Sequence, residues 1–213
     1  MIKDQGCLDS HPSGTGGTVS FFITSRENFS RLVSLFNGNF CTVNKKPEFK
    51  NWLNIFNSQY STEILFIDTV IKPSLMTGWL SGYIDALGPE EVSFTGLIEN
   101  KEFKSKTLYL TFSIFFKEFY ILNYLSVILN IGGGPINIKY NKEKEGWILN
   151  ISSFNKLKLI VNYLKRYPLK KSLVFIKWCK IYNLTLKKEH LNEIGLNKIR
   201  SLSLRLKEMN KNL

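Results

Sequence analysis

The stretch that decides the fold reads Trp79-Leu80-Ser81-Gly82-Tyr83-Ile84-Asp85-Ala86-Leu87-Gly88. It forms the end of a run from Met76 to Leu87 in which apolar and small residues recur at helical spacing. A short apolar helix that contains glycine is, by itself, weak evidence for any particular fold. Its meaning therefore depends on the elements that follow it.

Downstream of this helix, the hydrophobic pattern alternates between strand and helix periods. Alternating residues predict two pairs of strands, and apolar residues at helical spacing predict the helices between and after them. The predicted elements are strands at Glu91 to Glu99 and Thr107 to Phe115, a helix at Lys117 to Asn130, strands at Ile136 to Tyr140 and Trp147 to Ile151, helices at Phe154 to Arg166 and Ser172 to Tyr182, and a basic amphipathic helix or helix pair at Lys187 to Asn212. From Met76 to Tyr182 the order is helix, two strands, helix, two strands, helix, helix.

An internal repeat relates an earlier segment to the end of the chain. When Ile23-Thr24-Ser25 is set on Ile151-Ser152-Ser153, the apolar positions of the following helices coincide. After a slip of two residues, Trp52 to Asn57 lies over Trp178 to Asn183. Each copy is then a strand followed by two helices. A chance match of apolar helices is the alternative, and the shared tryptophan and asparagine favour a repeat.

The composition favours a polyanionic partner. The 213 residues carry a formal net charge of +12, and lysine and arginine side chains neutralise phosphates. The alternative is a basic protein that its charge keeps soluble. No run reaches the roughly 18 apolar residues of a membrane span, so no membrane insertion is expected. The three cysteines and two histidines have neither disulfide nor metal-ligand spacing.

The residue bias points to an organelle-encoded gene. Residue types with A/T-rich codons are abundant, including 16 Phe and 9 Tyr. The N-terminal residues show neither a signal-peptide nor a transit-peptide pattern, and an organelle-encoded protein needs neither. The expected location is therefore the mitochondrial matrix.

The quoted stretch resembles the signature helix of the LAGLIDADG homing endonucleases and maturases, and the element order after Met76 is similar to the half-repeat of that family. The resemblance implies an α+β class with an αββαββαα half-repeat, present as one near-complete copy preceded by a truncated copy. The implied antiparallel sheet is saddle-shaped, and its strand residues face the DNA major groove. Two signature helices would cross between the halves, which places at the repeat interface Ser81, Gly82, Asp85 and Ala86.

The same resemblance bears on catalysis. Family members place a metal-binding carboxylate just before the final glycine of the signature, and that position is Leu87. An aliphatic side chain cannot ligate Mg²⁺, which needs oxygen ligands. Interface or solvated roles are expected for the neighbouring acids Asp85, Glu90 and Glu91. We therefore expect no catalytic residue, no metal ligand and no cofactor, and a nuclease activity lost from an ancestral DNA endonuclease.

The expected domain organisation has four parts. These are a disordered lead-in at residues 1–17, a truncated first repeat of a strand and two helices at 18–60, a linker at 61–75, and a second repeat with the basic C-terminal helix at 76–213. The polar, glycine-rich segment Ser10 to Gly17 is typical of a lead-in. The first copy shows no signature helix, so a separate chain or another subunit is expected to complete it.

Loss of the metal acid with retention of the charge predicts a non-catalytic RNA-binding protein of an organellar ribosome or another large ribonucleoprotein. Its predicted partners are RNA, above all ribosomal RNA, and other ribonucleoprotein subunits. The candidate nucleic-acid-binding residues are Lys101, Lys104, Lys106, Lys139, Lys142, Lys144, Lys165, Arg166, Lys170, Lys171, Lys198, Arg200, Arg205 and Lys207. Tyr109 and Tyr140 are candidates for stacking on bases, although packing on the sheet is the commoner role of such residues.

Two alternative functions stay open. One is a group I intron-encoded homing endonuclease, completed by a partner chain that supplies metal ligands. The other is a splicing maturase, which would share the RNA partner and differ in its target.

Overall fold

The computed structural model describes residues 6–11, 18–23, 25–87, 91–100, 106–129, 137–170 and 172–211. The chain divides into two compact units, residues 1–71 and 72–213, and each is described by itself. Within the described ranges, no helix combines the length and apolar character needed to cross a bilayer.

The first unit begins with a hairpin. Strand β1 (Gly6–His11) pairs antiparallel with β2 (Thr18–Ile23). The strand predicted at the start of the first repeat is therefore paired, and its neighbour lies in the segment that was expected to be a disordered lead-in. The rest of that lead-in, residues 1–5 and 12–17, lies outside the described residues.

Two helices follow, α1 (Arg26–Phe36) and α2 (Lys46–Tyr60). The side chain of Ser25 accepts a hydrogen bond from the backbone N–H of Asn28 and so caps the start of α1. The two helices enclose a small core around Val33, Leu53 and Phe56, with aromatic side chains packed against it.

Two asparagines hold the segment after α2 against this unit. The side chain of Asn37 donates to the carbonyl of Leu65 and accepts from the N–H of Ile67, both at 2.8 Å. The side chain of Asn57 makes the same pair of bonds with the carbonyl and N–H of Ile64, at 2.9 and 3.2 Å. Residues 61–71, the first part of the expected linker, therefore belong to the first unit.

The second unit contains the predicted element order. It comprises α3 (Trp79–Ala86), β3 (Val92–Asn100), β4 (Lys106–Phe116), α4 (Phe119–Leu129), β5 (Asn137–Asn141), β6 (Gly146–Ile151), α5 (Phe154–Arg166), α6 (Ser172–Leu186), a 3₁₀ turn (Glu189–Leu191) and α7 (Glu193–Lys211). The four strands form one antiparallel sheet in the order β3-β4-β6-β5. The predicted α+β class is confirmed. The predicted first helix begins three residues late, at Trp79, because Ser74 forms a turn with Met76 and Thr77.

The helices bury one face of this sheet. Trp178 of α6 is fully buried, and its indole N–H donates to the carbonyl of Thr95 at 3.2 Å. Helix α7 docks through Ile199 and Leu206, both buried in the same core, and Asn210 donates a side-chain bond to the carbonyl of Phe94. The predicted basic tail is therefore part of the folded unit.

Candidate nucleic-acid interface

The register of the sheet assigns each strand residue to one of two faces, because directly opposed residues of antiparallel strands point to the same side. The pairs Phe94 with Phe112 and Ile114 with Leu149 lie on the face that the helices bury. We call the other side the open face. Its described side chains are those of Ser93, Thr95, Leu97, Tyr109, Thr111, Ser113, Phe115, Lys139, Asn141, Ile148 and Asn150.

Most of the open face is polar and reachable. Thr95, Leu97, Tyr109 and Lys139 are exposed, and Phe115 is the one buried residue of the set. Across the β4–β6 pair, the Ser113 hydroxyl donates to the side-chain oxygen of Asn150 at 2.6 Å. This bond orients an amide that can both donate and accept, which is the chemistry that reads base edges.

The serine, threonine and asparagine side chains of these strands are not among the binding residues predicted from charge. The signal was present as the period-two pattern of β4, in which Thr111 and Ser113 alternate with Leu110, Phe112 and Ile114. Polar residues at every second position of a strand indicate a face that is not packed against the core.

The hairpin lysines divide between the open face and its surroundings. Lys139 lies on the open face, whereas Lys142 and Lys144 lie in the turn that joins β5 to β6. Asn141 orders this turn by accepting from the backbone N–H groups of Glu143 and Lys144, both at 3.0 Å. Lys106 is the first residue of β4. Lys101 and Lys104 lie outside the described residues.

A second group of basic residues lies where α5 leads to α6. Lys165 and Arg166 are exposed in the last turn of α5, and the Arg166 guanidinium lies 5.4 Å from the ring centroid of Tyr167. Lys170 is exposed, and its backbone N–H donates to the Asp85 carboxylate. Lys171 lies outside the described residues.

A third group lies on α7, on the helix-covered side of the sheet. Lys198, Arg205 and Lys207 are exposed, and Arg200 is half-buried with a hydrogen bond to Asn197. Ser203 of the same helix packs near Gly96 of β3, on the side away from the open face. The structure therefore brings Lys139 together with the polar strand residues and places the α7 cations on a different surface.

The two candidate stacking residues also lie on opposite sides of the sheet. Tyr109 is exposed on the open face, opposite Leu97 in the register. Tyr140 packs edge-on against Trp147 on the other face, with ring centroids 4.9 Å apart. Only Tyr109 is placed to meet a ligand of the open face.

One side of the signature helix α3 is hydrogen-bonded to other residues of the second unit. The Tyr163 hydroxyl accepts from the N–H of Ser81 at 3.0 Å and donates to the carbonyl of Thr77 at 2.9 Å. Ser81 is buried, and its hydroxyl donates to the carbonyl of Pro168. Asp85 accepts from the N–H of Lys170 through both carboxylate oxygens, each at 3.0 Å. Ser81 and Asp85 thus bond within this unit.

The other side of α3 is open. Gly82 and Ala86 are four residues apart and both exposed, so they lie on one helical face. A Cβ atom built on Gly82 would meet no atom within 4 Å. Of the four residues expected at the repeat interface, Gly82 and Ala86 therefore face outward, whereas Ser81 and Asp85 make hydrogen bonds within their own unit.

The foot of the signature helix does not fit a Mg²⁺ site in its described part. Leu87 follows the last residue of α3 as its C-cap, and its side chain packs against the hydrophobic core. No group of three or more His, Cys, Asp or Glu side chains that could hold a metal ion occurs among residues the structure describes. Glu90 lies outside those residues, and Glu91 precedes β3, where its carbonyl accepts from the N–H of Phe115.

The phenol of Tyr83, on α3, has a perturbed ionisation. Burial, with added repulsion from the carboxylates of Glu91 and Glu118, raises the pKa of Tyr83 from 10.0 to about 12. The hydroxyl donates to the carbonyl of Phe115, and the ring stacks on Phe116 at a centroid distance of 4.7 Å. The neutral phenol is therefore the form that the fold accommodates.

This ionisation predicts a loss of stability at high pH. The stabilisation from Tyr83 is fully present below pH 10, because the phenol is then neutral in both the folded and unfolded states. It is lost as the pH rises through about 12, because the unfolded chain gives up its proton first. Denaturant unfolding at a series of pH values measures the effect. Tyr83→Phe should flatten the pH dependence in this window, and an unchanged profile would contradict the assignment.

Comparison with known proteins identifies the family. Residues 80–182 match the family model described as LAGLIDADG endonuclease. The chain is 35% identical over 177 residues to the probable intron-encoded endonuclease 4 of Neurospora crassa, covering 81% of this chain and 31% of that protein. It is 30% identical over 189 residues to the uncharacterized cox1 intron-2 37.2 kDa protein of Schizosaccharomyces pombe, covering 85% of this chain and 54% of that protein. The chain thus spans about a third and about half of the lengths of these relatives.

Solved structures agree in fold. The meganuclease I-SmaMI, bound to an uncleaveable DNA, gives a TM-score of 0.69 at 18% identity and covers 92% of this chain and 78% of its own. The archaeal intron-encoded homing endonuclease I-Vdi141I, complexed with DNA, gives a TM-score of 0.50 at 27% identity, with 61% and 83% covered. The chain therefore belongs to the LAGLIDADG endonuclease family, and its second unit contains the matched half-repeat.

These findings correct the expected function. The prediction of an RNA-binding component of an organellar ribosome, with ribosomal RNA and ribonucleoprotein subunits as partners, is wrong. The relatives are named for introns and as an endonuclease, and I-Vdi141I is complexed with DNA. The error arose because phosphate-binding charge does not distinguish RNA from DNA. The alternative of an intron-encoded endonuclease or maturase agrees better with the relatives.

Proposed function

We propose that this chain is the DNA-binding part of an intron-encoded homing endonuclease that binds duplex DNA through the open face of the β3-β4-β6-β5 sheet. The observation that carries the proposal is the open face itself. It presents hydroxyl, amide and lysine groups in a fold whose solved relative I-Vdi141I is complexed with DNA. A two-stranded ribbon fits the major groove of B-DNA, where base pairs present distinct patterns of donors and acceptors.

The net charge of the chain is a separate argument for duplex binding. A formal net charge of +12 attracts phosphates whatever the base sequence, while the strand side chains can distinguish bases. Lys139 is the described open-face residue that can contribute to both, because it is exposed in β5 beside Ile148 and Asn141.

We propose further that this half-repeat supplies no metal carboxylate from the signature position. Support comes from Leu87, whose side chain packs against the core, and from Asp85, whose carboxylate accepts from the N–H of Lys170. Cleavage by the whole protein would then need acidic groups from another part of the assembly, since divalent-metal hydrolysis of phosphodiesters needs oxygen ligands.

A mitochondrial origin is part of the same proposal. It is supported by the A/T-rich codon bias of the residues and by the naming of two relatives for introns, one of them in cox1. Fractionation of the source cells with an antibody against the chain tests it. Recovery in another compartment would refute it.

The test of function is duplex-DNA binding by the 213-residue chain, measured by fluorescence anisotropy over a range of salt concentrations. Lys139→Ala should weaken binding and reduce the steepness of the salt dependence by about one counterion. Lys180→Ala is the matched control, because Lys180 is exposed on α6, which packs on the other side of the sheet. Equal losses in both variants, or no binding to duplex DNA, would refute the open face as the interface.

The same preparation tests the catalytic part of the proposal. The chain with Mg²⁺ is expected to leave bound duplex intact, with both strands uncut on a denaturing gel. Mg²⁺-dependent cutting of either strand would contradict this part of the proposal. It would show that acidic residues at positions other than 87 form an active metal site.

A further inference from the structure

We infer that the open face reads an A·T-rich half-site, in which a thymine methyl group packs on Leu97. The inference rests on the proposed function, since it names the sequence preference of the same surface. It comes from the kinds of side chain on that face and from the strand register that places them.

The first argument is the polar chemistry of the open face. Bidentate contacts to guanine come mostly from arginine or lysine, and those to adenine come from asparagine or glutamine. Among the open-face side chains that the structure describes, there is no arginine and a single lysine, Lys139. The amides of Asn141 and Asn150, the phenol of Tyr109 and the hydroxyls of Ser93, Thr95, Thr111 and Ser113 supply the remaining polar groups. The side-chain oxygen of Asn141 already accepts from two N–H groups of the β5–β6 turn, whereas that of Asn150 accepts, among the described residues, from Ser113 alone and keeps a lone pair for the N6 donor of adenine. This set suits adenine better than guanine.

The second argument is an apolar pair at the β3–β4 hairpin end of the described open face. Leu97 and Tyr109 are directly opposed on β3 and β4, with exposed fractions of 55% and 39%. Thr95 and Thr111 flank them on the same face. An apolar patch on a surface that meets the major groove is desolvated favourably only by an apolar group, and the C5-methyl of thymine is the one that this groove presents.

The third argument is geometric. Residues on one face of a strand recur every second position, about 6.6 Å apart, and base pairs stack about 3.4 Å apart. Ser93, Thr95 and Leu97 therefore contact every second base pair in a run of about five. Leu97 is the outermost of the three toward the β3–β4 hairpin, so its contact lies at one end of that run.

The test begins with selection of duplexes from a random library by the 213-residue chain. The selected half-site should be rich in A·T pairs. Each thymine is then replaced by deoxyuridine, which removes the methyl group and keeps the hydrogen-bonding edge. At one position this change should weaken binding about threefold to fivefold, the amount expected for one buried methyl group.

Variants connect that position to Leu97. In Leu97→Ala the thymine and deoxyuridine duplexes should bind equally, whereas Leu97→Met should keep the preference for thymine. Leu173→Ala, at an exposed leucine of α6 on the other side of the sheet, should behave like the unchanged chain. The Leu97→Met and Leu173→Ala variants together distinguish loss of the methyl contact from a change in folding.

The possible outcomes distinguish a failure of this inference from a failure of the proposed function. Binding of duplex DNA with a G·C-rich selected site, or with no loss on removing any thymine methyl, overturns the inference and leaves the proposed function standing. Absence of duplex binding overturns both. Equal discrimination by Leu97→Ala and the unchanged chain would also refute the inference, because another residue would then hold the methyl group.

Discussion

Replacing Trp178 with alanine is expected to lower the free energy of unfolding of the second unit by about 3–5 kcal/mol. The indole is fully buried, lies edge-on to the ring of Phe94 at a centroid distance of 5.3 Å, and donates to the carbonyl of Thr95. Alanine would leave a cavity under β3 and remove the donor to that carbonyl. Urea unfolding followed by far-ultraviolet circular dichroism measures the change without relying on tryptophan fluorescence.

The control for this experiment is Leu173→Ala on the same helix. Leu173 is 66% exposed, so its loss should change stability by no more than about 0.5 kcal/mol. If the two variants unfolded at the same urea concentration, Trp178 would not be part of the core that joins α6 to the sheet.

The second large effect is expected at α7, where Leu206→Asp should cost about 3 kcal/mol or more. Leu206 is 1% exposed in the core, and a carboxylate there would lose its hydration without gaining a partner. Leu204→Asp makes the same chemical change two residues earlier, at a position that is 63% exposed. Both place an acid in the C-terminal half of the helix, so helix propensity and the helix dipole affect them alike.

Hydrogen exchange distinguishes detachment of α7 from general unfolding. In Leu206→Asp the amides of α7 should lose protection first, because the docked face of the helix is disrupted. In Leu204→Asp they should keep it. Equal protection in the two variants would mean that α7 does not depend on Leu206 for its position against β3.

The sequence predicts which elements of the second unit are strands and which are helices, because the spacing of hydrophobic residues differs between the two. Alternation in β4 and helical spacing in α5 follow directly from which side chains must be buried. The boundary at Met76 was less accessible, since it depends on a turn made by the Ser74 hydroxyl and carbonyl. A local side-chain bond of this kind competes with helix formation and leaves no periodic signal.

The internal repeat shows what the spacing of hydrophobic residues cannot predict. It predicts paired helices in both units, and the structure has α1 and α2 in one and α5 and α6 in the other. Ile181 of α6 is fully buried beneath the sheet, whereas its repeat partner Ile55 of α2 is exposed. Matching apolar positions therefore predict a helix without specifying what that helix packs against.

The candidate interface was accessible only in part. Charge pointed to Lys139 and also to the α7 cations, although these lie on different sides of the sheet. The pairing of Ser113 with Asn150 depends on a register between residues 37 positions apart, and register is decided by the whole core. Composition therefore does not indicate which charged residues share one face with the polar strand residues.

The phenol of Tyr163 couples two distant parts of the chain. By bonding the N–H of Ser81 and the carbonyl of Thr77 at once, it fixes how far α3 is rotated about its own axis relative to α5. The direction in which Gly82 and Ala86 face is therefore set by a residue more than 70 positions away. A change in α5 that tilted this ring would turn the exposed face of α3 without altering any residue on it.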